Sequence, residues 1–377
     1  DVAVNDGGST ATTITTATVT VNAGFTGTAL TIDGSALDAH PTTLTSGERL
    51  VVDASNNLAT EVITATGGAF SDSLTGGAGA DTLTGNAGAD TLTGGAGSDT
   101  ISGGTGIDQI NAGGGIDVID AGAGNDIIIV SVNADFKTSG GAETVDGGAG
   151  NDTLRFTATG ADLAITAPEM ESITGIETID ASDDIAGYAT SVTLGNGFFT
   201  SNGSSSIIYD GNDTTNNDSD NKLDLSSVSN GSATFYGNDA DADVADTFLG
   251  GSGDDTWIVT GTTAQITGAT DVYNGNGGTD RFLIVNTANT TSTIDFSNVT
   301  NVEKAVVQYN STGAVVIALG SVATTDSEPS TFEVDGSAVT SSTGSLSFNN
   351  GNTDEIAMAT AFTLKGGVNA DTLAGGY

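Results

Sequence analysis

Along residues 11–66 the chain alternates β-branched and polar residues, as in Thr16-Ala17-Thr18-Val19-Thr20-Val21, Ala29-Leu30-Thr31-Ile32-Asp33 and Arg49-Leu50-Val51-Val52-Asp53. A period of two puts successive side chains on opposite faces of an extended chain, so these segments predict strands, not helices. From Gly67 to Ile129 the period changes to nine and holds through seven consecutive units, from Gly-Gly-Ala-Phe-Ser-Asp-Ser-Leu-Thr to Ala-Gly-Ala-Gly-Asn-Asp-Ile-Ile-Ile. The sixth position is Asp72, Asp81, Asp90, Asp99, Asp108, Asp117 and Asp126. The eighth is Leu74, Leu83, Leu92, Ile101, Ile110, Ile119 and Ile128.

Glycines crowd the first four positions of each unit, where they permit a tight turn. The triplet that follows, Thr-Leu-Thr or its equivalent, predicts a short strand with one aliphatic side chain entering a narrow core. Two units complete one coil of a flattened solenoid, so alternate units stack. Asp72, Asp90, Asp108 and Asp126 then form one column, and Asp81, Asp99 and Asp117 the other. Stacked strands lie about 4.7–4.9 Å apart, and carboxylates about 5 Å apart repel by about 3 kcal/mol at an effective dielectric of about 20. Each column therefore needs a counter-ion. Carboxylates with turn carbonyls are hard oxygen ligands, which suit Ca²⁺ better than a transition metal. The predicted carbonyl donors are Gly76, Gly77, Gly79, Gly85, Gly88, Gly94, Gly95, Gly97, Gly103, Gly104 and Gly106. A flexible glycine linker would keep neither the Asp nor the aliphatic position fixed.

The pattern Gly-Gly-x-Gly-x-Asp-x-aliphatic-x resembles the RTX (repeats-in-toxin) family of hemolysin-type calcium-binding nonapeptides. That resemblance implies a parallel β-roll with several Ca²⁺ ions held in its turns. Phe70 and Ser71 in the first unit, and Ala112 and Ala121 opening the last two, depart from the family pattern.

Beyond the block, Ile127-Ile128-Ile129-Val130-Ser131-Val132 predicts a strand that closes it, followed by a loop around residues 133–141. The chain then repeats itself. Val145–Leu154 aligns with Tyr273–Phe282 at a shift of 128 residues, and Ile173-Thr174-Gly175-Ile176-Glu177-Thr178-Ile179 with Val299-Thr300-Asn301-Val302-Glu303-Lys304-Ala305 at 126. Further turns of the metal-binding type place Asp152, Asp255, Asp280 and Asp371 at the ligand position. Leu30–Leu37 recurs as Phe332–Val339, and Gly366–Gly376 reads as a nonapeptide block restarting, so the chain is expected to be one repeat of a longer array. The expected organisation is a β-rich segment at 1–66, a nonapeptide β-roll at 67–132, a β-solenoid-like region at 133–325 with related halves near 143–180 and 271–306, and a partial repeat of 30–77 at 326–377.

Composition narrows the function. Forty-eight Asp and Glu face 7 Lys and Arg, a formal charge of −41, which repels nucleic acid and anionic lipid. No apolar run approaches the length of a membrane span, so membrane insertion is not expected. The chain has 1 His and no Cys, which rules out a His-Glu-x-x-His zinc site and disulfide staples. Asp239, Asp241 and Asp243 are spaced like the start of an EF-hand loop, but Val244 and Gly250 stand where Gly and a bidentate Glu belong; any ion held there takes another geometry. Trp257, Tyr236, Phe235, Phe248 and Phe282 are candidate core residues, with a sugar-stacking platform as the alternative. Acid pairs such as Asp183 with Asp184 and Glu169 with Glu171 are chance neighbours in so acidic a chain, and His40 before Pro41 is a surface turn residue.

The fold class expected is all-β: a parallel β-roll flanked by further β-solenoid or β-sandwich-like structure. Residues 143–320, with their Ile-Thr-Gly-Ile-Glu-Thr-Ile and Val-Thr-Asn-Val-Glu-Lys-Ala segments, are most similar to RTX-type bacterial surface-layer and extracellular filament proteins. The resemblance implies a secreted, non-enzymatic structural protein at a bacterial cell surface, with copies of itself and cell-surface polysaccharide as partners. A calcium-rigidified stalk of a large adhesin is the first alternative. A polysaccharide-modifying enzyme is the second, and the scarcity of basic residues to neutralise a uronate counts against it.

Overall fold

The computed structural model describes residues 2–3, 16–21, 29–35, 49–56, 61–130, 143–157, 162–181, 190–202, 206–210, 222–229, 231–237, 246–260, 272–286, 292–295, 299–309, 314–318, 331–335, 345–349, 361–365 and 372–374. The chain divides into two compact units, one of Asp1–Ile179 with Thr200–Gly203, the other of Asp180–Phe199 with Ser204–Tyr377.

In the first unit the chain steps back and forth between two parallel sheets. One carries Val2–Ala3, Ala29–Asp33, Val62–Thr66, Thr82–Ala87, Thr100–Thr105, Val118–Ala123, Thr144–Asp146 and Ile173–Thr174. The other carries Thr16–Thr20, Arg49–Asp53, Ser73–Gly77, Thr91–Ala96, Gln109–Gly114, Ile127–Val130 and Thr153–Phe156. Each strand pairs with the strand one coil away, so the eighth positions stack in register: Leu74 on Leu92, Ile110, Ile128 and Leu154, and Leu83 on Ile101, Ile119 and Val145. These two buried columns are the core of the roll. The Thr and Ser residues on either side of each aliphatic point outward, as the period-two pattern requires.

Two expectations change here. The strand at Ile127–Val130 does not close the block, because Thr153–Phe156 pairs with it and the solenoid runs on. The N-terminal strands belong to the same two sheets, Arg49–Asp53 pairing with Ser73–Gly77 and Val62–Thr66 with Thr82–Ala87. The flanking structure is therefore solenoid and not sandwich, because the parallel register holds across these strands although the spacing between early rungs is wider. Ala29 pairs with Val62, 33 residues on, where rungs inside the block are 18 apart.

The second unit is built on the same plan with a different filling. Ser206–Asp210, Ser232–Gly237, Thr256–Thr260, Arg281–Asn286, Lys304–Tyr309, Thr331–Asp335 and Ala361–Lys365 form one parallel sheet. Thr190–Thr193, Lys222–Asp224, Thr247–Leu249, Val272–Asn274 and Val299–Thr300 form a second, and Ser292–Asp295, Ala314–Ala318, Ser345–Asn349 and Thr372–Ala374 a third. Between the first two sheets lies a stack of rings. Phe235 lies flat on Trp257 (centroids 5.1 Å apart, planes 6° apart), and Trp257 on Phe282 (5.3 Å, 22°), with Phe248 and Tyr273 meeting them from the facing sheet. Phe235, Phe248, Trp257 and Phe282 are buried, so these rings are core and offer no sugar platform; Tyr236, one residue out of phase, faces solvent.

Replacing Leu92 by Ala removes one rung of the aliphatic column, and so is expected to destabilise the calcium-loaded fold by about 2–5 kcal/mol. Urea unfolding at saturating calcium measures it. Thr93→Ala, on the outer face, should shift the midpoint far less.

Candidate metal centre

The Asp at position six of each unit sits where the turn hands over to the strand. Its register is therefore that of the aliphatic two residues later, and the Asp residues stack in the two predicted columns. Asp72, Asp81, Asp90, Asp99, Asp108, Asp117 and Asp126 are all buried. A hydrogen-bond ladder joins them. The Asp72 N–H donates to Asp90 Oδ1 (2.6 Å), Asp90 to Asp108 (2.8 Å) and Asp108 to Asp126 (2.8 Å). In the other column Asp81 donates to Asp99 (2.7 Å) and Asp99 to Asp117 (2.7 Å).

Both ladders run past the nonapeptide block. The Asp126 N–H donates to Asp152 Oδ1 (2.8 Å) and Asp152 to Glu177 Oε2 (2.8 Å), while Asp117 donates to Glu143 Oε2 (2.7 Å). The second unit has a third ladder, in which Ala233 donates to Asp255 Oδ1 (2.6 Å), Asp255 to Asp280 Oδ1 (2.7 Å) and Asp280 to Glu303 Oε2. Sequence reasoning placed Asp152, Asp255 and Asp280 at ligand positions but missed Glu143, Glu177 and Glu303. The available signal was an acid two places before a buried small or aliphatic residue, here Val145, Ile179 and Ala305. Asp371, Asp239, Asp241 and Asp243 lie outside the described residues.

One oxygen of each ladder carboxylate is used in this way, and the other is not. Oδ2 of Asp81, Asp90, Asp99, Asp108, Asp126, Asp152 and Asp280 is buried without a hydrogen-bond partner. At the ladder starts, Oδ2 of Asp72 and Asp255 accepts the N–H of Gly68 (2.6 Å) and Gly251 (2.9 Å). Inside the block a peptide carbonyl from the next coil stands beside the orphaned oxygen. A methyl added at Gly85 would meet the Gly103 carbonyl at 2.6 Å and Asp90 Oδ2 closer still, and the same holds at Gly76 for Asp81 and the Gly94 carbonyl. Gly85 is needed for this space and not for its backbone angle, whereas Gly88 adopts φ +130° in the turn itself.

Among the predicted carbonyl donors, Gly85, Gly94 and Gly103 present their oxygens beside a carboxylate, as do Ala112 and Ala121, which were not predicted. Carbonyls of Gly77, Gly79, Gly88, Gly95, Gly97, Gly104 and Gly106 abut the glycines of the next coil, stacking turn on turn. Gly76 lines the Asp81 carboxylate through its Cα.

The environment is hostile to bare charge. Burial, with a smaller part from neighbouring carboxylates at Asp90, Asp99, Asp152, Asp255 and Asp280, raises the carboxyls. Asp81, Asp99, Asp152 and Asp255 are pushed up to about 6, Asp90 to about 7 and Asp280 to about 8. Asp72, Asp108, Asp126 and Glu303 are raised as well, again chiefly by burial. Ladder hydrogen bonds oppose the shift without cancelling it.

Among the described residues no group of three acidic, His or Cys side chains converges to hold an ion, and the oxygens that do stand together are a carboxylate and a peptide carbonyl. That all-oxygen set fits Ca²⁺, which accepts backbone carbonyls and irregular geometry. The ion would supply positive charge where buried, unpaired carboxylate oxygens would otherwise stay protonated or repel.

A β-solenoid whose turns bury columns of carboxylates beside carbonyls has the donor set of a calcium-binding repeat protein. Residues 66–101, 102–136 and 138–155 match the family described as RTX calcium-binding nonapeptide repeat (4 copies). Such repeats bind calcium and typically belong to secreted, non-catalytic proteins. No curated protein and no solved structure matches the chain. No helix among the described residues is long and apolar enough to cross a membrane.

Two outcomes follow from this geometry. Gly85→Ala should weaken calcium binding at Asp90 while leaving the strand columns able to form, read as a loss in a calcium titration by calorimetry. Second, the folded carboxyls titrate above the unfolded Asp value of about 4, so the metal-free fold holds more protons than the unfolded chain. Its stability is fully present below about pH 4 and is lost as the pH rises through about 6 to 8. Far-UV circular dichroism in EGTA should show β-signal falling between pH 5 and 8, and excess calcium should abolish the fall. A metal-free signal that is flat or rising with pH contradicts this account.

Proposed function

We propose that the chain is a secreted structural protein that self-assembles on the cell exterior, as a surface layer or extracellular filament, with calcium driving both folding and assembly. The observation that carries this reading is the row of buried, unpartnered carboxylate oxygens at Asp81, Asp90, Asp99, Asp108 and Asp126. A core of one aliphatic per nine residues cannot by itself offset both the ordering of so many glycines and the burial of these charges. Calcium is scarce inside cells and abundant outside, so the chain stays loose during export and folds on arrival. The charge of −41 keeps copies apart until calcium neutralises and bridges them. The Thr-, Ser-, Asn- and Gly-rich segments at 143–320 support a layer or filament role, with polysaccharide as the anchoring partner.

A second reading, the stalk of a large adhesin, is favoured by the recurrence of the Ala29–Asp33 strand pattern at Thr331–Asp335. Circular dichroism and light scattering during a calcium titration, with EGTA reversal, separate the two. A β-signal and particle mass that rise together support the layer or filament. A rising β-signal at constant mass supports the stalk. No response to calcium refutes the calcium reading of the columns.

A further inference from the structure

The two segments noticed as a duplicated pair, Thr174-Gly175-Ile176-Glu177 and Thr300-Asn301-Val302-Glu303, adopt one geometry in the two units. Each opens on a Thr whose hydroxyl donates to the carbonyl of the neighbouring coil, Thr174 to Val145 (3.3 Å) and Thr300 to Tyr273 (3.4 Å). The next residue is left-handed, Gly175 at φ +66° and Asn301 at φ +52°. For Asn301 this is a conformation that few residues other than Gly accept. The turn points its carbonyl backward: Gly175 O occupies the space in front of Gly147, and Asn301 O that in front of Gly275. Ile176 and Val302 are buried and anchor the segment. Two residues after the turn, Glu177 and Glu303 accept the N–H of Asp152 and Asp280 through Oε2.

Each segment thus faces an Asp that is 0% exposed and whose Oδ2 has no hydrogen-bond partner. At Gly275 the convergence is direct, since Asn301 O and Asp280 Oδ2 crowd the same point, where a side chain would begin. In the strand register Glu333 pairs with Lys304, so the sequence position next in line after Glu303 is Phe332, not an acid.

We infer that Thr174–Glu177 and Thr300–Glu303 are closing elements, each completing a terminal calcium site with the turn carbonyl (Gly175 or Asn301), the Glu carboxylate and the orphaned Asp oxygen (Asp152 or Asp280). The inference rests on the calcium reading of the columns. It adds two sites of a donor pattern other than the nonapeptide, and the Glu303 site lies outside the residues matched to RTX repeats. An Asp and a Glu together balance the charge of one divalent ion.

The test counts ions on the full chain. Native mass spectrometry should find one calcium fewer in Glu177→Gln, one fewer in Glu303→Gln and two fewer in the double variant, with circular dichroism at saturating calcium unchanged. A site-specific readout guards against misfolding. Trp257, the only Trp, stacks on Phe282 two residues from Asp280, so Tb³⁺ at the second closing site should luminesce on Trp excitation. Glu303→Gln should lower that emission, any remainder coming from an ion at Asp255, and Glu177→Gln should preserve it in full. A wild type that binds several calcium ions, with variants that keep the same number and the same emission, overturns the closing role alone. A wild type that binds no calcium overturns the column reading beneath it.

Discussion

The backbone N–H that each ladder residue donates to the carboxylate one coil ahead is the contact on which the rest of this structure depends. It fixes the rise from coil to coil, holds every Asp in one rotamer, and draws the acid out of water. It also uses only one oxygen. At Asp81, Asp90, Asp99 and Asp108 the other is left in a crevice beside a turn glycine, next to a carbonyl of the next coil. The same hydrogen bond that builds the roll therefore buries the carboxylate oxygens on which the proposed coupling of folding to calcium binding rests. The glycine-rich turns follow from this, since a side chain at Gly85 would occupy the crevice itself.

The two units meet the problem of a thin solenoid differently. In the first, the core is two files of Leu and Ile, and the carboxylate columns are long. In the second, the ladder is short, Asp255 to Asp280 to Glu303, and stacked rings from Phe235 to Phe282 supply more buried apolar area per rung. Aromatic filling thus takes over where the metal columns shorten. Both units end their ladders in Glu, which ties the irregular regions to the regular block by a shared device instead of a shared sequence period.

The period of nine was fully legible because everything it encodes is local. Glycine space, Asp position and aliphatic position recur within one unit, and a parallel stack repeats the unit at a constant offset of 18 residues. From that alone came the all-β class, the two columns of Asp and the pairing of Leu74 with Leu92. The duplicated Thr-Gly-Ile-Glu and Thr-Asn-Val-Glu segments were also visible, although not their purpose.

What only the tertiary structure decided concerns contacts across irregular spacing. Glu143, Glu177 and Glu303 enter the ladders 26, 25 and 23 residues after the Asp they serve, so no fixed period marks them. The N-terminal strands joined the same sheets across offsets of 33. Strand pairing is set by which rungs lie adjacent in space, so the number of residues between paired positions varies while the parallel register stays intact. A residue's chemistry was therefore readable along the chain wherever its partner lay one fixed period away. Where the partner lay at an irregular spacing, only the stacked coils could show that a Glu stands in line with a column of Asp.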